Sequence, residues 1–266
     1  MIKVISEKEY IDRNIFFILK SEIRLNILSE LNDKSQSIGD IVNKTNMAYS
    51  SVSSNMHKLE YYNHVKRIGK IYEINPMTKI YINQIIEFKK SIDVVKNFDN
   101  FWNKHDIKYI NSESIEDITY LYESKLIETN PIEIYKTHDI IKNQLKEANN
   151  IKAILPYIHP DYPQLIENIL KNNGKIDLVM NRTIYKSIIQ NIDKKLRYEH
   201  IKQGNLKITL QNNNSEIYLL ICDDTMNLGL FKNDGSYDQN RILNSNSEES
   251  IKWASRLFET IKEGVI

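Results

Sequence analysis

Residues 46–60 read NMAYSSVSSNMHKLE, and this stretch restricts the fold more than any other. Val52, Met56 and Leu59 stand at i, i+4 and i+7, the spacing of one buried helical stripe. The residues just before and after Val52 are small and polar: Ser50, Ser51, Ser53, Ser54 and Asn55. Serine and asparagine are indifferent helix formers, because their short polar groups compete for backbone hydrogen bonds. A helix with only a structural role would carry Glu, Lys or Ala on its outer face. The polar face therefore needs an explanation beyond folding.

The flanking sequence supplies one. SEIRLNILSEL (21–31) places Ile23, Ile27, Leu28 and Leu31 at helical spacing. After the DKSQ loop, Ser37 precedes Ile38, Ile41 and Val42 with Asp40 three residues on, a capping-box start to a short helix. KTNM is a tight connection into the serine-rich helix. HVKRIGKIYEI (64–74) follows, with Val65, Ile68, Ile71 and Ile74 as inward or flanking apolar positions and Gly69-Lys70 as a hairpin tip. Three short helices and a hairpin give the order of a winged helix-turn-helix.

In that arrangement Tyr49, Ser50, Ser51, Ser53, Ser54 and Asn55 occupy the early turns and outer face of the recognition helix, where base edges are contacted. Small hydroxyls allow close approach to the major groove, and an asparagine pairs bidentately with adenine. Lys58 reaches a phosphate, and Lys66, Arg67 and Lys70 on the hairpin meet the backbone or the minor groove. From Lys44 to Lys79 six cations (Lys44, Lys58, Lys66, Arg67, Lys70, Lys79) face two anions (Glu60, Glu73), a local excess of four in a chain of net charge +1. One basic face in a near-neutral chain fits one anionic partner, double-stranded DNA. The competing reading is a solvated polar surface on a scaffold or interaction domain. This stretch, through IRLNILSEL, SIGDIVNKTNMAYSSVSSNMHKLE and VKRIGKIYEI, resembles the winged-helix domain of ArsR-like archaeal regulators.

Other classes are excluded on composition. Cys222 is the only cysteine, so neither an intrachain disulfide nor an all-cysteine zinc site can form. A reducing cytoplasmic setting fits. No apolar run reaches the ~18–20 residues of a membrane span. MIKVISEKEY carries acids and no apolar core, unlike a signal peptide. Seven glycines are few for a Gly-rich nucleotide-binding enzyme, and neither a P-loop, a dinucleotide fingerprint nor a nucleophile elbow is present. No metal ligand set or cofactor is expected.

From Met77 to Trp102 there is no Gly or Pro, and Tyr81, Ile85, Phe88, Ile92, Val95 and Trp102 recur at spacings of four and three, with Asp99 in the missing slot. Such a seam pairs with a second copy of itself, giving a homodimer, or packs on the chain's own C-terminal domain. Beyond residue 105 helices are expected at 114–128 and 132–148. Then come a strand at 151–158, a helix at 161–173, a strand at 175–181 and a helix at 183–196. Strands follow at 206–212, 216–224 and 227–233. The closing helix spans 245–264, with Ser245 and Glu248 as its capping box and Ile251, Ala254, Phe258 and Ile261 as its buried stripe. The fold class is α+β: winged helix at 1–76, connecting or dimerisation helix at 77–104, and an α/β sheet domain at 105–266.

NLGLFKNDGSYDQNRIL (227–243) and SEESIKWASRLFETI (247–261) resemble the C-terminal domain of archaeal methanogenesis regulators, with Ala254 where the family carries Gly after the Trp. That resemblance covers nearly the whole chain and implies a transcriptional regulator whose sheet is distantly similar to phospholipase-D-like sensor domains. Phospholipase-D chemistry needs H-x-K-x-x-x-x-D. His200 and Lys202 supply H-x-K, but Lys207 stands in the Asp position, so no enzyme is expected. His159 and Asp161 either act at a site or are ordinary loop residues, and Cys222 is expected to be a buried structural thiol.

Ligands of open α/β sheets sit beyond the carboxyl ends of strands. Tyr157, His159, Asn181, Arg182 and Asp223 are the candidates there for an unidentified small-molecule effector. Asp234, Gly235, Tyr237 and Asp238 read mainly as a turn. The alternative to a DNA-binding regulator is a ligand-binding protein or enzyme whose winged helix contacts another protein.

Overall fold

A computed structural model describes residues 13–212 and 215–264; the opening MIKVISEKEY lies outside the described residues. The chain divides into two compact units, one ending at Lys89 and one beginning at Lys90.

The first unit holds helices α1 (Arg13–Leu19), α2 (Glu22–Asp33), α3 (Ile38–Thr45) and α4 (Tyr49–Tyr61), strands β1 (Val65–Ile68) and β2 (Ile71–Ile74), and the first part of α5 (Pro76–Asn97). The sequence signals at their ends hold. The Ser21 hydroxyl accepts the Arg24 N–H. Ser37 and Asp40 form a reciprocal capping box at the start of α3. Asn46 ends α3 at φ 54°, a left-handed position that asparagine tolerates better than most residues. Ile27, Leu28 and Leu31 of α2, Ile41 of α3 and Val52, Met56 and Leu59 of α4 form one core with Ile18 and Ile82. Ile18 brings in α1, a helix that the sequence pattern did not announce. The hairpin pairs Ile68 with Ile71 around a two-residue loop, and Gly69 takes φ +63° there. Val65 and Tyr72 are buried, whereas Ile68 and Ile71 are exposed at the hairpin tip instead of facing inward. Gln36, in the loop before α3, exchanges backbone hydrogen bonds with Tyr72 and ties the hairpin to the helices.

The expected helix 77–102 is interrupted. α5 stops at Asn97 and α6 (Asp99–Lys104) restarts after Phe98. Tyr81 and Ile85 pack half-buried against the first unit's core, while Val94, Phe98 and Trp102 join a core of the second unit. Phe88 stays 65% exposed and Val95 48%.

The second unit continues with α7 (Ser112–Glu116), β3 (Lys125–Glu128), α8 (Lys136–Glu147), β4 (Asn150–Ile154), α9 (Tyr162–Lys171), β5 (Lys175–Asn181) and α10 (Arg182–Ile188). It ends with α11 (Lys194–Gln203), β6 (Leu206–Gln211), β7 (Ile217–Cys222), β8 (Thr225–Leu230), β9 (Arg241–Ser245) and α12 (Glu248–Lys262). Seven strands form one mixed sheet in the order β3-β9-β8-β7-β4-β5-β6. Only β4–β5 and β5–β6 are parallel. One face buries Ile141 and Leu145 of α8, Leu165, Ile166, Ile169 and Leu170 of α9 and Ile184 and Ile188 of α10. The other buries Phe101, Leu121 and the Trp253, Leu257, Phe258 and Ile261 stripe of α12. The α+β class read from the sequence is the class observed.

Three expectations about the second unit need correction. Residues 114–128 are not one helix: α7 is short and Lys125–Glu128 pairs with β9, more than 110 positions away. Neither short strand has a local pattern that identifies it. The helix 183–196 is two helices, because Asp193 caps a new one by accepting the Leu196 N–H at 2.8 Å. α12 begins later than expected, with Ser247 as its N-cap accepting from Ser250. Ser245 is a buried strand residue.

The segment 227–238 is a packing device. Leu228 and Leu230 fill a core, and the Asp234 carboxylate accepts the Ser236 N–H in the turn. A Cβ at Gly229 would lie 2.5 Å from the Tyr237 hydroxyl, so the strand admits only glycine beside that ring. Asp238 is buried, 3.0 Å from His105 Nε2 and 2.9 Å from the Arg241 guanidinium. Burial raises its carboxyl, but hydrogen bonds from Arg241, the Asn240 N–H and His105 outweigh that and hold it below the usual carboxylate value. Gly229→Ala is expected to lower stability by about 1–3 kcal/mol through overpacking. The loss should shrink in combination with Tyr237→Phe, which removes the nearest atom. An unchanged denaturation midpoint for Gly229→Ala would show that the strand does not approach the ring.

Candidate nucleic-acid interface

The three apolar anchors of α4 are fully buried, so its rotation about its own axis is fixed. Tyr49, Ser50, Ser54 and Lys58 are exposed, and Ser51, Ser53 and Asn55 are half-buried. All the residues chosen on the recognition helix thus reach the surface of the first unit. His57 and Tyr61 share the exposed face and were not singled out; their i+3 and i+7 offsets from Ser54 are the signal that would have included them. The Asn55 amide donates to the Ser51 carbonyl at 2.9 Å, so in this conformation it is turned back onto its own helix. Ala48 holds the N-cap position and offers no side-chain cap, which leaves early backbone N–H groups of α4 to the surroundings.

Lys66, Arg67 and Lys70 are exposed on the hairpin. The Arg67 Nε donates to the Gly69 carbonyl at 3.0 Å, bracing the turn. Two of the six cations counted in this region are committed elsewhere. Lys44 pairs with Glu30 at 2.8 Å, and Lys79 donates to the Asn32 carbonyl at 3.0 Å. Among the described residues Lys58, Lys66, Arg67 and Lys70 form no ion pair with an acid, so their charge remains available to an outside anion.

His64 joins the end of α4 to the hairpin and to α5. Its backbone N–H donates to Leu59, its ring stacks on Phe17 at 5.6 Å, and Nδ1 lies 3.1 Å from the Thr78 hydroxyl. Nε2 is buried with no hydrogen-bond partner. Burial, and then the charge of Arg24, hold the imidazole below its ordinary value.

Of the five candidate ligand residues, four lie where the parallel strands β4 and β5 end. The Tyr157 ring stacks on Tyr237 at 4.5 Å, and its hydroxyl is 3.0 Å from that of Tyr162. Tyr162 and Tyr218 complete a buried aromatic cluster, in which burial pushes every one of these phenols up. His159 lies edge-on to His138 with ring centroids 4.1 Å apart, and its Nδ1 accepts the Asp161 N–H. Burial lowers both imidazoles. Tyr162, Tyr218 and His138 come from α9, β7 and α8 and Tyr237 from the β8–β9 connection, and no sequence spacing links them. Asn181 caps α10 by accepting the Ile184 N–H, and Arg182 is exposed at the start of that helix.

Asp223 is a correction. β7 runs antiparallel to β4, pairing Cys222 with Ile151, so the end of β7 meets the beginning of β4. Asp223 therefore sits at the opposite rim from the other four, accepting the Asn149 and Asn150 N–H groups at 2.9 and 2.8 Å. At that rim is a cleft of about 340 Å³ bordered by Lys152, Asp177 and Lys207, neighbours across β4, β5 and β6. Lys152 pairs with Glu259 and Asp177 with Lys262. His200 is buried in α11 and Lys207 occupies β6, so the H-x-K fragment builds no phosphodiesterase site. Cys222 is buried in β7, its thiol pushed up to about 12 by burial and by the Asp223 charge. Among the described residues no group of three or more metal-binding side chains occurs, and no helix is long and apolar enough to cross a membrane.

Residues 134–264 match the family model described as methanogenesis regulatory protein FilR1, middle domain. This segment is similar to the FilR1 middle-domain family. Its β7–β9 meander and α12 carry the two motifs that suggested the relationship. A curated relative, methanogenesis regulatory protein FilR1 of Methanothrix harundinacea (strain 6Ac), is 24% identical over 247 residues. The alignment takes in 90% of this chain, which spans about half (54%) of that relative's length. Among solved structures, TrmBL2, an archaeal chromatin protein with a novel mode of DNA binding, aligns over 94% of this chain and 98% of its own at 11% identity and a TM-score of 0.40. The riboflavin-derivative dimethyltransferase RosA from Streptomyces davawensis aligns over 74% of this chain and 63% of its own, at 9% identity and a TM-score of 0.23.

The His64 geometry sets a pH dependence. Its folded-state value is depressed, so as pH falls below about 6.5 the unfolded chain takes up the proton first and the folded state loses relative stability. His138 and His159 shift in the same direction. Urea denaturation at about pH 8 and pH 5.5 should therefore show a loss of stability in acid that is smaller, but not abolished, in His64→Gln. An identical loss in both proteins would mean that His64 is not held neutral.

Proposed function

We propose that this protein is a cytoplasmic transcription regulator that binds double-stranded DNA through its N-terminal winged helix, acts as a homodimer, and senses a small-molecule effector through its C-terminal unit. The observation that carries this reading is the exposed hydroxyl-and-amide face of α4 beside four cations with no acid partner among the described residues. Ser50, Ser51, Ser54 and Asn55 read base edges, with Tyr49 and Ser53 at the margins of the contact. The uncapped start of α4 meets a phosphate, as backbone N–H groups at a helix N-terminus do readily. Lys58, Lys66, Arg67 and Lys70 neutralise phosphates and release counterions.

The name of the FilR1 relative supports a regulatory role. Exposed Phe88 on α5 supports pairing with a second copy, which would bring two recognition helices to half-sites one DNA turn apart. An effector alters DNA binding only through different affinities for the DNA-competent and incompetent arrangements.

Titration of binding against salt tests the electrostatic part. Arg67→Ala and Lys70→Ala should each lower the log–log salt slope by about 0.9 and weaken binding to all sequences alike. An unchanged slope removes the hairpin from the contact. Ser54→Glu places a carboxylate on the face assigned to DNA. It should weaken duplex binding by at least about tenfold, roughly 1.4 kcal/mol, with an unchanged denaturation midpoint. Equal binding by Ser54→Glu and the parent protein would remove α4 from the interface.

A further inference from the structure

We propose that the second unit carries a binding site for a small, uncharged, apolar molecule of about one aromatic ring, held between Trp102 and Trp253. A hollow of about 190 Å³ lies between these indoles, with Ile110 beside them and Val95, Ile107 and Ile115 at its mouth. Trp253 and Ile110 are buried, while the three mouth residues are 48%, 39% and 40% exposed, so the hollow opens to solvent.

The chemistry of the occupant follows from what the walls lack. The lining presents only apolar surface. The two indole N–H groups are already used: the Trp253 Nε1 donates to the Ser114 carbonyl at 2.7 Å, and the Trp102 Nε1 to the Val94 carbonyl at 3.2 Å. A bound water needs two to four polar partners and finds none, so the hollow is poorly hydrated. A charged or hydrogen-bonding ligand would lose its hydration without replacement. A molecule with neither charge nor donors loses nothing and gains contact with the two indoles. An apolar cavity of about 150 Å³ already accommodates benzene or xenon, so the size suits a single ring or a short branched hydrocarbon. Val95 belongs to α5, the helix shared by both units, so occupancy gives the effector reading a physical start. That link rests on the regulator reading; the binding does not.

The chain's two tryptophans are both in this wall, which makes their fluorescence a reporter confined to the site. The test uses the full-length protein without DNA and iodobenzene as an apolar heavy-atom quencher, with iodide as its charged counterpart. Iodobenzene should quench the emission saturably, and iodide should do so weakly and without saturation. Ile107→Arg sets a charge at the mouth and should raise the iodobenzene dissociation constant at least tenfold. Ile115→Gln provides the same test should the arginine variant fail to fold, and Ile158→Arg, on an exposed position elsewhere in the unit, should leave the constant unchanged. Linear quenching that both mouth variants leave unaltered would overturn the proposal. Emission that shifts with protein concentration while iodobenzene never saturates would overturn it too, assigning the hollow to a second copy of the chain.

Discussion

Burial of Val52, Met56 and Leu59 against α2 and α3 is the contact on which the functional reading depends. Three side chains at i, i+4 and i+7 leave a helix one rotational setting, because any turn about its axis would expose one of them at a cost of about 1.5–3 kcal/mol. With that setting fixed, Ser50 and Ser54 face outward and Ser51 and Ser53 reach the surface in part. The left-handed Asn46 sets the angle at which α4 leaves α3, and the Gln36–Tyr72 bridge and His64 hold the hairpin to the same small core. The surface assigned to DNA is therefore a consequence of how the helix is buried.

The second unit is organised differently. Its distinctive motifs serve the sheet. Gly229 lets Tyr237 cross a strand, Asp238 ties His105 of the segment after α6 to Arg241 of β9, and Trp253 anchors α12 through the Ser114 carbonyl. Residues that carry the resemblance thus maintain the architecture, and binding chemistry has to be sought beside them. Two regions stand out: the hollow between the tryptophans, to which the motifs contribute Trp253, and the cluster of tyrosines and histidines at the carboxyl ends of β4 and β5.

The first unit was legible in the sequence because its signals are local. A capping box, an apolar stripe and a glycine turn each act within a few residues, and the helix order followed from them. What escaped depends on distant partners. β3 is four residues long and exists because it pairs with β9, so its own pattern blends into the helix before it. Asp223 was placed with Tyr157 and His159 because strand direction was taken as uniform; the antiparallel β7 sends it to the other rim. The Lys44–Glu30 pair joins two helices and lowers the free positive charge below what a count along the chain implies.

The central claim is that the outer face of α4 enters a DNA groove. Cys222 is buried with its thiol pushed up to about 12, so a cysteine introduced at an exposed position is the reactive thiol of the folded protein. Ser54→Cys carrying an iron–EDTA group, bound to duplexes selected from random DNA, reports directly where that face lies. The account predicts strand cleavage confined to the selected half-sites from position 54, and none from the same group at Ile132→Cys, a position 93% exposed in the other unit. Cleavage from position 132 with none from position 54 would contradict it.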